Sequence, residues 1–371
     1  MKRAPYFLLL FASLCLAGVL SSCKRNEQNR EKNTLSIESR GGFHEIVVVA
    51  DSLTWTGRPG EALREALYDI IPGLPQPENR FKLIHIYPSA LQSFLKLHHN
   101  VLFLTSFDNK STENRRNLAR LKPETIEAAK KDPTQFMSLS KNLYANGQQA
   151  LFVYSPTQEQ LANNIRQYQN RLRQHFHDLE RERVGTKMYS AQENKKLGKF
   201  ITNHHPFALR VPMAYKLVKN EENFIWLRFL EQRVDKSIFI VRLPYNNPKV
   251  FELEQFVSLR DSLGFQYFND GKRAILPDSY IITENDNMEV EATKLNFNGL
   301  YAVEYRGLWL LKNQSRGGPF LGYLMVDKSN KELYYIEGFI DAPGEDKRAH
   351  IVELETIIRT FVLQEQAQKA S

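Results

Sequence analysis

The sequence predicts an α+β protein built of two halves. Strand-like and helix-like stretches alternate through about residues 43–200, whereas strands come in runs and are then followed by helices through about 205–366. With 42% hydrophobic and 11% aromatic residues, 371 residues can fill two cores at about 150 residues per domain. The expectation is two α/β sandwich-like halves: an N-terminal α/β domain over 43–203 and a C-terminal α+β domain over 204–371. The second is expected to have a mainly antiparallel sheet covered by helices.

In chain order, Lys2 and Arg3 give a positive start and "YFLLLFASLCLAGVL" runs apolar from Tyr6 to Leu20. That run is shorter than the roughly 20 apolar residues a spanning helix needs, so residues 1–22 read as a removable signal peptide. Leu20-Ser21-Ser22-Cys23 resembles the lipobox of bacterial lipoproteins. The resemblance implies that the Cys23 thiol takes a diacylglycerol and becomes the mature N-terminus. An incidental cysteine and an uncleaved anchor helix are the alternatives. One acyl chain binds a bilayer only marginally, and a diacylglycerol supplies the second. Cys15 falls within the leader, which leaves Cys23 alone and removes disulfides, cysteine metal sites and thiol nucleophiles. Lys24 stands where an aspartate would imply inner-membrane retention, and no acidic export stretch follows. The expected address is therefore the outer membrane, on its periplasmic face. Residues 23–42, polar and closed by Gly41-Gly42, read as the lipidated cysteine and a flexible tether.

In the first half, "EIVVVA", "RFKLIHIYP", "NVLFLTSF" and "QALFVYSP" read as buried strands. Helical spacing of Leu63, Leu67 and Ile70 follows Pro59-Gly60, "SALQSFLKLHH" reads as a helix, and a polar helical insert spans "NRRNLARLKPETIEAAKKDP". Leu161, Ile165, Tyr168, Leu172, Phe176 and Leu179 form one apolar stripe, which predicts a single long helix.

In the second half, "FALRVPMAYKLVKN", "NFIWLRFLE" and "KSIFIVRLPY" read as consecutive strands, then a helix from Pro248 buries Phe256, Leu259 and Leu263. "LYAVEYRGLWLLKN" alternates, with Tyr301, Val303, Tyr305 and Trp309 on one face. A hairpin turns at Asp327-Lys328-Ser329-Asn330, and a closing helix after Pro343-Gly344 buries Ile351, Leu354, Ile358 and Phe361. No internal repeat is evident.

The formal charge is +8, and +6 once Lys2 and Arg3 are subtracted. No basic stripe interleaved with aromatics accompanies it, so nucleic acid is not an expected partner. A solvated surface accounts for the excess, with anionic envelope material as the sharper reading. His98-His99, His175-x-His177 and His204-His205 do not share a helix face and make no zinc pair alone. Gly-x-Ser-x-Gly, His-Glu-x-x-His and a phosphate loop are all missing. "RGGPF" offers an anion-binding turn beside Arg316, against the plainer reading of a turn between strands. Glu304 and Arg306 share a strand face as an ion pair or a ligand contact. Asp341, Glu345, Asp346, Lys347 and Arg348 surround a helix start, where acids cap the helix or charges rim a ligand. Arg306, Trp309, Arg316, Lys347 and Arg348 are the candidate ligand or partner contacts, and no catalytic residue, metal or cofactor is expected.

"WTGRPGEALREAL…PGLPQPENRF" in the first half and "RGLW", "GGPF", "EGF" and "APGEDKR" in the second resemble an uncharacterised lipoprotein family of Bacteroidetes (domain of unknown function 4837), over nearly all of 44–363. The resemblance implies envelope location and lineage, and it assigns no role to Trp55, Pro75, Arg306, Trp309, Lys347 or Arg348. The second half is also loosely similar to the Mog1/PsbP type of α/β/α sandwich, a likeness of fold that implies no activity. The expected function is a non-catalytic, lipid-anchored binding or assembly factor whose partner is an envelope protein, a glycan or an anionic lipid. The alternative is an envelope hydrolase of glycan or peptidoglycan, with two carboxylates brought together by the fold.

Overall fold

The structure, a computed structural model, describes residues 37–191, 193–269 and 279–364. The leader, Cys23 and most of the tether lie outside the described residues. The first half is organised by the run Ile46-Val47-Val48-Val49, all four fully buried. A strand whose side chains are apolar on both sides must be covered on both faces.

Five strands do this: β1 (Glu45–Val49), β2 (Lys82–Ile86), β3 (Asn100–Ser106), β4 (Met137–Lys141) and β5 (Gln149–Ser155), in the order β2-β1-β3-β5-β4. All neighbours are parallel except β4 and β5. Around them run α1 (Ser52–Thr56), α2 (Arg58–Leu67), α3 (Ser93–Lys96), α4 (Thr112–Leu118), α5 (Pro123–Lys131), α6 (Gln158–Gln167) and α7 (Gln169–Ala191). Ile46 and Val48 pack with Leu63 and Leu67 of α2, Leu161 of α6 and Phe176 of α7. Val47 and Val49 pack on the opposite side with Leu91, Leu121 and Ala129.

Three expectations change here. "SALQSFLKLHH" forms a 3₁₀ turn at Pro88–Ala90 and the single turn of α3. Of its leucines only Leu91 is buried, too little contact to hold a longer helix. The long stripe breaks at Tyr168 into α6 and α7, while Leu161, Ile165, Leu172 and Phe176 stay in one core cluster. The body also begins before Phe43, because Glu38 bridges Asn146 and Arg40 bridges His98, so the last residues assigned to the tether are paired.

Gly60 shows how tightly α2 follows α1. A Cβ on Gly60 would stand 1.9 Å from the Trp55 carbonyl oxygen. Alanine ordinarily stabilises a helix interior by roughly 0.5–1 kcal/mol over glycine. Here Gly60→Ala is expected to lower the denaturation midpoint instead, as a urea titration would register.

The second half contains β6 (Phe207–Ala208), β7 (Lys216–Glu221), β8 (Phe224–Leu230), β9 (Asp235–Pro244), β10 (Ile281–Glu284), β11 (Glu291–Phe297), β12 (Leu300–Leu311), β13 (Gly317–Asp327), β14 (Glu332–Asp341) and β15 (Val362–Leu363). Its helices are α8 (Lys195–His204), α9 (Leu253–Phe268) and α10 (Arg348–Ile358). An eight-stranded sheet runs β10-β12-β13-β14-β9-β8-β7, with β11 also on β12, and every pairing in it is antiparallel. Ile238, Ile240, Tyr334 and Ile336 meet Ile351, Leu354 and Ile358 of α10. Phe239, Val241, Tyr335 and Phe339 meet Phe256 and Leu263 of α9 on the other face. The mixed α+β class stands, and each half is a sandwich of helices around one sheet. In "FALRVPMAYKLVKN" only β6, which pairs with β15 in a separate two-stranded sheet, and β7, which pairs with β8, form strands; between them Pro212, which has no N–H to give, makes only an isolated bridge to Glu193.

Between α9 and the sheet lies a fully buried charge pair. Arg260 donates from Nε and Nη2 to Glu337 at 2.9 and 2.8 Å, and from Nη1 to the Thr283 hydroxyl at 3.0 Å. Its guanidinium carbon sits 4.0 Å from the Phe320 ring centroid, and Tyr335 also donates to Glu337. No described helix is long and apolar enough to cross a membrane.

Candidate functional site

The two halves meet over a cleft of about 400 Å³. The two-residue period of β12 turns Glu304 and Arg306 to one side of the strand, and both line the cleft. The first half closes against this strand through Gly73, at φ +74°, where a Cβ would lie 2.7 Å from the Gly307 nitrogen. A side chain there would push the halves apart. Helix α7 brings Arg173 and His177, one helical turn apart, and α10 brings Glu355.

These side chains form one charge network. Arg306 donates from Nε to Glu304 Oε1 at 2.7 Å and from Nη2 to Glu355 Oε2 at 2.9 Å. Tyr323 gives its hydroxyl proton to Glu304 Oε2 at 2.5 Å. His177 Nε2 lies 2.9 Å from Glu355 Oε1, with Arg181 at 3.7 Å from the same oxygen. Burial opposes the charge on Glu355, but His177 and Arg306 outweigh it and hold this carboxyl well below the usual range. Burial likewise opposes the charge on Arg306, and Glu304 and Glu355 raise its pKa well above the ordinary value. At the mouth, Asp69 accepts from Arg80 at 3.1 Å and pairs with Arg173 at 3.2 Å.

Arg359 is held more loosely: burial opposes its charge, and Tyr323, Glu355 and Glu304 raise its pKa above the ordinary value without a close ion pair. It lines the cleft and lies over the rings of Phe297 and Tyr323, at 5.0 and 4.9 Å from their centroids. Among the described residues no carboxylate lies within 4 Å of its guanidinium, and its buried Nε has no hydrogen-bond partner. Four arginines (Arg80, Arg173, Arg306, Arg359) face two glutamates in the lining, so the cleft is positive. Among the described residues no three histidine, cysteine or acidic side chains converge as a metal set.

Arg306 is central to this site. Lys347 and Arg348 act beside it, as clamps between the halves. Glu78, from the first half, accepts the backbone N–H groups of Lys347 at 2.8 Å and Arg348 at 3.0 Å, and so caps α10. The side chain of Arg348 donates to the Arg80 carbonyl at 2.8 Å and to Glu180. The capping acid therefore comes from 270 residues away and not from the local Asp341, Glu345 or Asp346. Trp309 is buried and donates from its indole N–H to the Ile340 carbonyl at 3.0 Å, a core role. Arg316 is exposed and paired with Asp341. Neither lines the cleft. Sequence reasoning missed Arg80, Arg173, His177, Glu355 and Arg359. His177 was weighed only as half of a histidine pair, while its four-residue spacing from Arg173 on a striped helix was the available signal.

Comparison with known proteins adds family and little else. Residues 192–360 match the family model described as Domain of unknown function (DUF4837), and residues 39–189 match Domain of unknown function (DUF8532). No curated protein matches the chain. Among solved structures, the Saccharomyces cerevisiae Ran-binding protein Mog1p is similar at TM-score 0.28 and 12% identity, over 43% of this chain and 90% of its own. The human StarD13 lipid transfer and protein localization domain is similar at TM-score 0.20 and 11% identity, over 45% of this chain and 95% of its own. Scores this low carry no functional weight.

Proposed function

We propose that this chain, whose two halves match two uncharacterised domain families, is a lipid-anchored envelope protein that binds a small anionic ligand between those halves. The supporting observation is Arg359, a cation without a carboxylate in a cleft that already carries three other arginines. A half-buried guanidinium stacked on two rings presents its donors to an incoming carboxylate or phosphate. Glycan hydrolysis is less well supported. A hydrolase of that kind needs one carboxyl kept protonated. Glu355 is held in its charged form, and Glu304 is occupied by Arg306 and Tyr323. The anchor reading rests on Leu20-Ser21-Ser22-Cys23 and the apolar run before it.

One experiment addresses both parts. Cys23→Ala is expected to abolish metabolic palmitate labelling and release the protein from membranes. Labelling that persists defeats the anchor. In the same preparations, Arg359→Gln is expected to weaken saturable binding of citrate, a compact polyanion probe, by about tenfold, as calorimetry would read. Unchanged binding, or no binding by the parent protein, defeats the cleft as an anion site.

A further inference from the structure

A second cavity, of about 700 Å³, opens in the first half at the N-terminal ends of β3 and β5. Its walls come from the paired segment around Ser39 and Arg40, from His99 and Gln149, and from α7 through Arg183 and Lys187. Arg183 is half-buried, and its fork is fixed by three neutral oxygens: Asn100 Oδ1 at 2.6 Å, the His99 carbonyl at 3.2 Å and the Gly147 carbonyl at 3.3 Å. Those bonds set its direction without exhausting the five donors of a guanidinium. No carboxylate among the described residues comes within 4 Å of it, although Glu182 also lines the cavity. Removing a cation from water without a counter-ion is costly, and an anion supplied by a ligand would offset that cost.

Arg40 and Lys187 add two further cations without carboxylate partners among the described residues, and the Lys187 ammonium lies 5.8 Å from the Phe43 ring centroid. Glu38, which also lines the cavity, accepts from the Asn146 side chain at 3.2 Å. Burial, Arg183 and His98 push the His99 imidazole down to about 4, so the ring is neutral at pH 7 and offers hydrogen bonds without charge. The Ser39 hydroxyl lies 2.8 Å from His99 Nδ1. Gln149 carries a buried Oε1 that no group satisfies, an acceptor suited to a ligand hydroxyl. Phe43 and Leu179 supply apolar wall for a carbon skeleton.

The geometry points to a binding site for the phosphate ester of a polyol, with the phosphate on Arg183, Lys187 and Arg40 and the hydroxyls on Gln149, Ser39 and His99. A soluble solute or a lipid headgroup presents the same chemistry. The full chain in nonionic detergent micelles would be titrated calorimetrically with glycerol 3-phosphate in one arm. In the other arm the titrant would be micelles doped with phosphatidylglycerol, with phosphatidylcholine as control. Saturable binding in either arm, tighter than to glycerol or inorganic phosphate, supports the site, and the arm that binds names the source. Arg183→Gln is expected to weaken binding by about tenfold or more. Lys187→Ala, at an exposed position that folding tolerates, is expected to weaken it by about threefold. Lys130→Ala, exposed on α5 and lining neither cavity, is expected to leave it unchanged. No saturable binding in both arms, or an affinity that neither cavity variant moves, overturns the proposal.

Discussion

Glu337→Ala is expected to destabilise the protein by about 3–5 kcal/mol, because it strands a fully buried arginine. The side chains of Arg260 and Glu337 are 1% and 0% exposed, so water cannot replace the lost partner. Thr283 would still accept one N–H and Phe320 would still lie beneath the guanidinium, but the remaining carboxylate, Asp261, stands 3.9 Å away, beyond hydrogen-bond reach. Tyr335 would lose the acceptor of its hydroxyl proton as well. The pair itself is a different matter. Joint replacement with Arg260→Met and Glu337→Leu is expected to recover most of the loss, since apolar groups of similar volume avoid the desolvation cost that both ions bear. Urea denaturation of the single and the double variant checks this. A single variant within about 1 kcal/mol of the parent would mean that the pair is not buried as described.

The second large effect is expected at the junction. Arg306→Met leaves Glu304 and Glu355 without the cation that both of them bind, and a loss of about 3–5 kcal/mol is expected. Loosening should concentrate between the halves, so hydrogen exchange should rise in α7 and α10 before it rises in the central strands. Glu355 also sets a direction with pH. Its folded pKa lies below the unfolded value, so its contribution is complete above the ordinary carboxylate range and is lost as pH falls through and below that range. Glu355→Gln is expected to flatten that part of the acid denaturation profile. A profile unchanged by the substitution would remove Glu355 as a source of acid sensitivity.

Much of the fold was legible because local pattern and final burial agree. The run Ile46–Val49 demanded cover on two faces, and the alternation in β12 and the hairpin of β13 and β14 read directly as strands. Where the pattern was thin, the reading failed. β4 is "MSLSK", a short alternation with two apolar residues of which Leu139 is exposed at the sheet edge, and it is ordered by its partner β5. β11 is largely exposed and, among the described residues, pairs only with β12. The site was less legible still. Arg306 was singled out from the strand period, but its partner Glu355 lies 49 residues away, and His177, which meets Glu355, lies 178 residues from it. No local signal links residues so distant in the chain. Trp309 and Arg316 attracted notice for their chemistry and turned out to serve the core and a surface pair.

The cap on α10 has a consequence for biogenesis. Glu78 is synthesised some 270 residues before the helix whose amide groups it receives. During translation the earlier half is complete and waiting when the last helix emerges, so that helix finds its terminus already provided for. Severed from what precedes it, the later half would present those amides to water alone and would have to fold without its template.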